Sequence, residues 1–146
     1  MIVVADASVL VGELLRERGR ALILHTDLHV AVAEHQWSES DHELRRRLDI
    51  LSSKGRISEQ RRSELEEFIS ALLDAGAIEV VAHDAYAHLE AVARRRVPRD
   101  PNDWPTVALA LVLDAAILTG DHDFLGCGCP TWTVETLLAE LAESEE

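Results

Sequence analysis

The sequence has few cysteines, and this scarcity restricts both its compartment and its cross-links. The two cysteines, Cys127 and Cys129, are too few for a disulfide framework, and the single residue between them closes too small a loop for an easy disulfide. We therefore expect a cytoplasmic protein. A soft metal site here would need further ligands, with His122 as the local candidate. Two small buried residues are the simpler interpretation.

Long apolar segments are also missing. No run approaches the roughly 20 apolar residues that a membrane-spanning helix needs. The chain begins Met1-Ile2-Val3-Val4-Ala5-Asp6, without the basic segment that opens a signal peptide. We expect neither a membrane anchor nor a cleaved leader.

Positive charge is scarce as well. The chain carries 14 Lys and Arg residues against 27 Asp and Glu residues, a formal net charge of −13. This balance excludes a general basic coat for nucleic acid, although a basic groove on an acidic body remains compatible with it. Aromatic residues make up 4%, and no base-stacking platform is evident. Some of the excess carboxylates can keep the protein in solution, and others can bind metal.

What the sequence does contain is the pattern of one folded domain. Its 146 residues, 47% of them hydrophobic, suffice for a single core. Short apolar runs alternate with helical patterns, which predicts an α/β domain over 1–146 with a central, mainly parallel sheet of four to five strands. We expect buried strands at 2–5, 78–82 and 115–119, an extended piece at 29–32 and a further strand at 131–134. An acidic tail covers about 140–146.

Several polar residues sit where helices are predicted to begin. We expect helix N-caps at Ser8, Ser58, Asp84 and Asp103. The segment 58–75 repeats apolar residues at amphipathic spacing. The helix that begins at Asp103 is apolar nearly all round, so we expect it to be buried.

Acidic residues stand at the ends of two predicted strands. Asp6 follows the first strand and Asp121 the third, while Asp103 opens the buried helix. The carboxyl ends of parallel strands meet at one edge of a sheet, so these acids converge if the two strands are neighbours. Like charges about 4 Å apart repel by about 4 kcal/mol at an effective dielectric near 20, so the cluster needs a cation or a shared proton. Oxygen ligands alone favour Mg²⁺ or Mn²⁺. Taken singly, each acid has a simpler role in a cap or a turn.

Four acid-bearing segments follow one another across the chain. They read VADASVL at 4–10, WSESDHELRR at 37–46, DWPTVALA at 103–110 and LTGDHDF at 118–124. Together they resemble the motifs of the PIN domain family, in particular its short VapC-like toxins. The resemblance covers nearly the whole chain and implies a PIN-like three-layer α/β/α domain.

The resemblance also implies a catalytic, metal-binding quartet of Asp6, Glu39, Asp103 and Asp121. Asp123 is a further candidate ligand and Asp100 a weaker one. Glu43 and Asp41 lie on the same helix as Glu39, and Glu43 lies one turn further on, so it is the alternative to Glu39, which has the family's usual distance to Leu44. Ser8 and Thr119 are candidates to support a carboxylate or a bound water, and local capping is the alternative for Ser8.

By resemblance, the activity is Mg²⁺- or Mn²⁺-dependent cleavage of RNA phosphodiesters by the toxin of a type II toxin–antitoxin pair. The implied partners are RNA, a cognate antitoxin protein and a second copy in a homodimer, for which helix 58–75 offers apolar surface or simply core. The alternatives are a housekeeping PIN nuclease in RNA processing and an inactive PIN-like interaction module. Candidate phosphate contacts are Arg45, Arg46, Arg95 and Arg99, unless these are solvated helix ends.

Overall fold

A computed structural model describes residues 1–145 and contains one parallel sheet. The strands are β1 (Ile2–Ala5), β2 (His29–Ala33), β3 (Ile78–Val81), β4 (Ala116–Leu118) and β5 (Thr131–Trp132). They lie in the order β3-β2-β1-β4-β5, and every neighbouring pair is parallel. The predicted α/β class with a mainly parallel sheet is confirmed. Most importantly for the acids, β1 and β4 are direct neighbours.

Helices occupy the first three connections between the strands, and one more follows β5. Within residues 1–145 they are α1 (Ala7–Leu14), α2 (Glu17–Ile23), α3 (Glu34–Ser53), α4 (Glu59–Asp74), α5 (Glu90–Arg96), α6 (Trp104–Leu113) and α7 (Val134–Ser144). Short 3₁₀ turns occur at 83–85, 87–89, 101–103 and 122–124. None of the helices in this part of the chain is long and apolar enough to cross a membrane.

The sheet separates two apolar layers because successive side chains of a strand point to opposite faces. Val3 faces a cluster with Leu10 of α1 and Leu44 of α3. Val4 faces the other cluster, built mainly from α5 and α6 and including Val107. Since both faces are covered, β1 is apolar at every position, as expected for a central strand of a parallel sheet.

Helix α4 bears out the cap predicted for it. The Ser58 hydroxyl oxygen accepts a hydrogen bond from the Arg61 backbone N–H at 3.0 Å. The apolar stripe of α4 is largely core, since Leu65, Ile69 and Leu72 are all buried.

Two other predicted caps are wrong. Asp6 rather than Ser8 caps α1, because the Asp6 side chain accepts the Val9 N–H. Asp84 opens no long helix. It lies in the 3₁₀ turn at 83–85, and α5 begins only at Glu90.

Strand boundaries also differ at the edges of the sheet. β3 is an edge strand with Glu79 and Val80 exposed, so the prediction of a buried strand at 78–82 is wrong. β5 stops at Trp132 because Thr133 caps α7. Much of the predicted acidic tail belongs to α7, and Glu146 lies outside the described residues.

Candidate active site

Asp6 stands at the carboxyl edge of the sheet, between β1 and β4. Ala5 pairs with Leu118, so the residues that follow, Asp6 and Thr119, lie side by side. Asp6 is only 5% exposed. Its Oδ1 accepts the Val9 N–H at 2.8 Å, and its Oδ2 accepts the Thr119 hydroxyl. These bonds fix the carboxylate against both α1 and the end of β4.

The loop after β4 carries two more aspartates, and hydrogen bonds fix their positions. The Asp121 N–H donates to Thr119 Oγ1 at 2.9 Å, and the Asp123 N–H donates to Asp121 Oδ1 at 2.9 Å. Because the buried Thr119 side chain donates to Asp6 and accepts from the Asp121 N–H, it links Asp6 to this loop. The structure thus places Thr119 in the position of a residue that orients carboxylates.

Asp103 occupies the N-cap position of α6 but does not act as a cap. Its side chain makes no capping hydrogen bond, although an N-cap aspartate ordinarily accepts a backbone N–H from the second or third helical residue. The second helical residue is Pro105, which has no N–H to offer. The Asp103 carboxylate instead groups with Asp121 and Asp123, with ligand oxygens all within 4.8 Å of one another.

Burial and mutual repulsion raise the pKa values of these acids. Burial, reinforced by the charges of Asp100, Asp121, Asp6 and Asp123, raises the pKa of Asp103 to about 7. Burial also raises the pKa of Asp6, against the opposing effect of its hydrogen bonds from Thr119 and Val9. Both shifts mean that the ionised forms lack compensating positive charge.

Only one ion pair reaches this cluster within residues 1–145. Arg99 Nη1 lies 3.7 Å from Asp123 Oδ1, and the Arg99 side chain is 73% exposed. One solvent-exposed guanidinium is poor compensation for several crowded carboxylates, because water screens such a pair. The donor set, its spacing and its charge therefore fit a hard divalent cation, whose bonded oxygens lie at most about 4–5 Å apart.

Glu39 lies to one side of this group. It is on α3, exposed, with Oε1 3.3 Å from His35 Nε2, and it lines a pocket with Ala7 and Ser8 of α1. The three-aspartate group includes neither Asp6 nor Glu39. Glu39 therefore does not belong to the three-aspartate group. The role of Glu39 as a metal ligand stays a prediction.

Glu43, the alternative on α3, is occupied by other partners. Its carboxylate accepts hydrogen bonds from Arg46 at 2.8 and 2.9 Å and from Arg47 at 3.1 Å. These bonds lower the pKa of Glu43 to about 2. Because Glu39 has no arginine partner within residues 1–145, it remains the better candidate on α3.

Comparison with known proteins defines the family. The sequence profile of the PIN domain matches residues 4–142. The chain belongs to the PIN domain family. PIN domains are generally nucleases that act on RNA and typically use divalent metals, which agrees with the acidic group of this chain. The profile does not distinguish VapC-like toxins from other PIN domains.

A solved structure shares the fold of this PIN domain. The crystal structure of PAE2754 from Pyrobaculum aerophilum is 21% identical, has a TM-score of 0.66, and aligns over 98% of this chain and 90% of that chain. At this identity the likeness concerns the fold alone. No curated protein matches the chain.

The predicted arginines are scattered over the PIN domain. Arg45 pairs with Asp41 at 3.3 Å and lines a groove between α3 and α4. Arg46 is held by Glu43, and Arg95 is exposed on α5. Of the four candidates, only Arg99 makes an ion pair with a cluster aspartate.

Arg16 and Arg47 are not among the four candidate phosphate contacts, yet both line a groove together with Asp121. Spacing could have found Arg47, because Glu39, Glu43 and Arg47 lie four residues apart and share one face of α3. Ser8, which lines the same groove, is exposed in the first turn of α1.

The Cys-Gly-Cys segment lies apart from this chemistry. Cys127 is buried against the α5–α6 layer, and both cysteines are free. The backbone carbonyl of Cys127 accepts a hydrogen bond from Arg96 Nη1 at 3.2 Å. Arg96 therefore anchors the loop that leads to β5.

Proposed function

We propose that this PIN domain is a Mg²⁺- or Mn²⁺-dependent endoribonuclease. The observation that carries the proposal is Asp103, a helix N-cap residue whose carboxylate makes no cap bond and joins Asp121 and Asp123. A pKa raised to about 7 means that ionising Asp103 is unfavourable without added positive charge. A divalent cation supplies that charge.

Each acid has a distinct part in this proposal. Asp103, Asp121 and Asp123 hold the cation, and Asp6 contributes from the floor of the site. Both Asp6 oxygens already accept hydrogen bonds, but a carboxylate has about four lone-pair sites, so Asp6 can still face a cation. Glu39 contributes a fifth carboxylate from α3.

The chemistry needs no nucleophilic side chain. When bound, a divalent cation stabilises charge that develops on the phosphoryl group and lowers the pKa of nearby water. The chain's own task is orientation. The Asp6–Thr119–Asp121–Asp123 series of hydrogen bonds holds the carboxylates in place before substrate arrives, so little reorganisation is needed during reaction.

Cleavage of RNA by the purified full chain tests this activity. A single-stranded RNA of mixed sequence is incubated with EDTA, with Mg²⁺ or with Mn²⁺, and internal cleavage products are followed. We expect cleavage only with the added ions and its loss in Asp121→Asn. Equal cleavage in EDTA would overturn metal dependence, and absence of cleavage with every ion would favour the inactive interaction module.

The proposed biological role is that of a toxin with a cognate antitoxin, acting as a homodimer. The support is the resemblance of the four motifs to VapC-like toxins. Inducible expression in a bacterial host should arrest growth for the wild type and not for Asp121→Asn, and co-expression of the neighbouring gene should restore growth. Normal growth with an RNA-cleaving wild type would instead indicate a housekeeping nuclease. Light scattering of the purified chain tests the dimer.

A further inference from the structure

A polar groove begins at the acid cluster and runs along α1. On α1 it is lined by Ser8, Gly12 and Arg16, which are four residues apart and so share a helix face. Arg47 of α3 lines it, as do Asp121 and the neighbouring residues of the loop after β4. We call this the α1–α3 groove. It shares Asp121 with the candidate metal site.

Gly12 has no packing reason to be glycine. A Cβ added at Gly19 of α2 would lie 2.1 Å from the Glu13 carbonyl oxygen, so close packing requires that glycine. A Cβ added at Gly12 would meet nothing within 4 Å, and Gly12 has no positive φ. Glycine inside a helix costs about 1 kcal/mol relative to alanine. What this glycine provides is an open floor for the groove.

The two groove arginines keep donors free for a ligand. Within residues 1–145, Arg16 uses one nitrogen in a hydrogen bond to Glu13 at 3.3 Å, and Arg47 uses one in a bond to Glu43 at 3.1 Å. Their side chains are 60% and 47% exposed. A guanidinium has five N–H donors and matches phosphate oxygens bidentately.

The carboxylate of Glu13 does not cancel this positive charge. Glu13 is 6% exposed and is bound by Arg16 and also by Arg18 at 3.4 Å. Arg47 also lines the adjoining pocket on the other side of Ser8, but there it lies beside both Glu39 and Glu43. Phosphate groups are therefore favoured on the Arg16 side of the site and disfavoured on the Glu39 side.

We propose that the α1–α3 groove binds the sugar-phosphate backbone of the RNA strand next to the cleaved phosphodiester. Arg16 and Arg47 bind its phosphates, and Gly12 leaves the space that the strand fills. The proposal rests on the proposed function, because the groove shares Asp121 with the catalytic acids. It also gives the strand a direction, from the metal site along α1 towards Arg16.

Binding measurements in a non-cleaving background test the groove separately from catalysis. Asp103→Asn serves as that background, because Asp103 does not line the groove. The affinity for a labelled 20-nucleotide single-stranded RNA is measured by fluorescence anisotropy against salt concentration. Arg47→Ala and Gly12→Leu are the test variants. Arg61→Ala, which removes an exposed arginine that pairs with Glu64 at 3.2 Å on α4, and Ala139→Leu at an exposed position of α7 are the matched controls.

We expect Arg47→Ala to weaken binding about tenfold and to reduce the slope of log affinity against log salt by about 0.7, the value for one lost phosphate contact on a single strand. Gly12→Leu should weaken binding by steric exclusion while the fold persists, as a thermal melt verifies. Both control variants should bind like the parent. If Gly12→Leu melts early, Arg47→Ala decides the matter, since its loss removes only one exposed ion pair.

Two results would overturn the groove. One is test variants that match their controls in affinity and salt slope, and the other is a parent protein that does not bind RNA. The proposed function has a separate readout, which is cleavage by the wild type with Mg²⁺ or Mn²⁺. Groove-dependent binding without wild-type cleavage would leave the groove standing and reject the nuclease.

Discussion

Carboxylates are crowded in two regions of this PIN domain, along α3 and at the carboxyl edge of β1 and β4, and their charges are balanced differently. On α3, Asp41 pairs with Arg45 at 3.3 Å, and Glu43 is bound by Arg46, which with Arg47 lowers the pKa of Glu43 to about 2. At the sheet edge, burial and neighbouring acids raise the pKa of Asp103 to about 7. The ionised carboxylate is thus stabilised on α3 and destabilised at the sheet edge.

The difference comes from how the residues are brought together. The α3 pairs are three or four residues apart, so the helix itself supplies Asp41 and Glu43 with arginines. The sheet-edge acids come from positions 6, 103, 121 and 123, which only the finished fold assembles, and within residues 1–145 their one ion-pair partner is the exposed Arg99. Asp41 and Glu43 are therefore neutralised within the chain, whereas we propose that a cation from solution neutralises the sheet-edge acids.

The largest expected effect is on RNA cleavage, which should depend on the sheet-edge acids and not on Asp41 of α3. Asp103→Asn should lower RNA cleavage by at least about 100-fold, because it removes a charged ligand of the cation. Asp41→Asn removes a carboxylate of the same kind from α3 and should leave the cleavage rate close to that of the wild type. Initial rates at saturating Mg²⁺ measure both. Equal losses in the two variants would remove the distinction.

Metal binding should stabilise the folded protein through the sheet-edge acids and not through the acids of α3. At about ten times its Kd, Mg²⁺ should add about 1.4 kcal/mol to the free energy of unfolding, a rise of about 4 °C in Tm for a domain of this size. Asp103→Asn should lose most of this rise and Asp41→Asn should keep it. Differential scanning calorimetry at several Mg²⁺ concentrations measures the shifts, and the same shift in all three proteins would argue against a specific site.

The two regions should also respond to pH with opposite signs. The pKa of Asp103 is about 7 in the folded state against 3.8 ordinarily, so between these values the folded state binds more protons and stability falls as pH rises. The pKa of Glu43 is about 2 against 4.5, so its contribution is complete above pH 4.5 and is lost as pH falls towards 2.

Urea unfolding in metal-free buffer at pH 5 and pH 8 measures the first of these effects. Asp103→Asn should gain stability relative to the wild type on going from pH 5 to pH 8, because it has no proton to lose. Titrating groups remote from Asp103 are common to both proteins and cancel in the difference. A difference that stays constant between the two pH values would contradict the raised pKa.

The smallest effect concerns the exposed arginines. Arg99→Ala should cost less than about 1 kcal/mol of stability without metal, as exposed pairs do. It should increase the Tm rise caused by Mg²⁺, since Arg99 is the internal competitor for Asp123. Arg45→Ala, which breaks the α3 pair with Asp41, should leave the Mg²⁺-induced rise unchanged. Identical rises in both variants would show that Arg99 does not compete.

Much of the fold could be predicted from the apolar pattern, because the pattern of a helix or strand can be read within a short segment. The run 2–5 could be assigned as a central strand, since both of its faces are buried. The same reasoning was wrong for 78–82, because Ile78–Val81 is an edge strand and edge position is set by strand order. The N-cap of α1 is Asp6 rather than the predicted Ser8, because the Asp6 carboxylate oxygen accepts the Val9 N–H.

The acids of the site were easier to predict than its positive groups. Asp6 and Asp121 follow strands that could be recognised, and their meeting needed only that β1 and β4 be neighbours. For the arginines, one residue rotates a helix by about 100°, so Arg45 faces the α3–α4 groove while Arg47 faces α1. Their different roles follow from the orientation of α3 on α1, which no local pattern records.

The most direct measurement is the anomalous difference map of crystals grown with Mn²⁺. We expect a peak about 2–2.5 Å from carboxylate oxygens of Asp103 and Asp121, with no peak on the Asp41 and Glu43 carboxylates of α3. The peak should disappear in Asp103→Asn. A wild-type map without density at the sheet edge, or with its strongest peak on α3, would contradict the claim that the sheet-edge acids are the metal site.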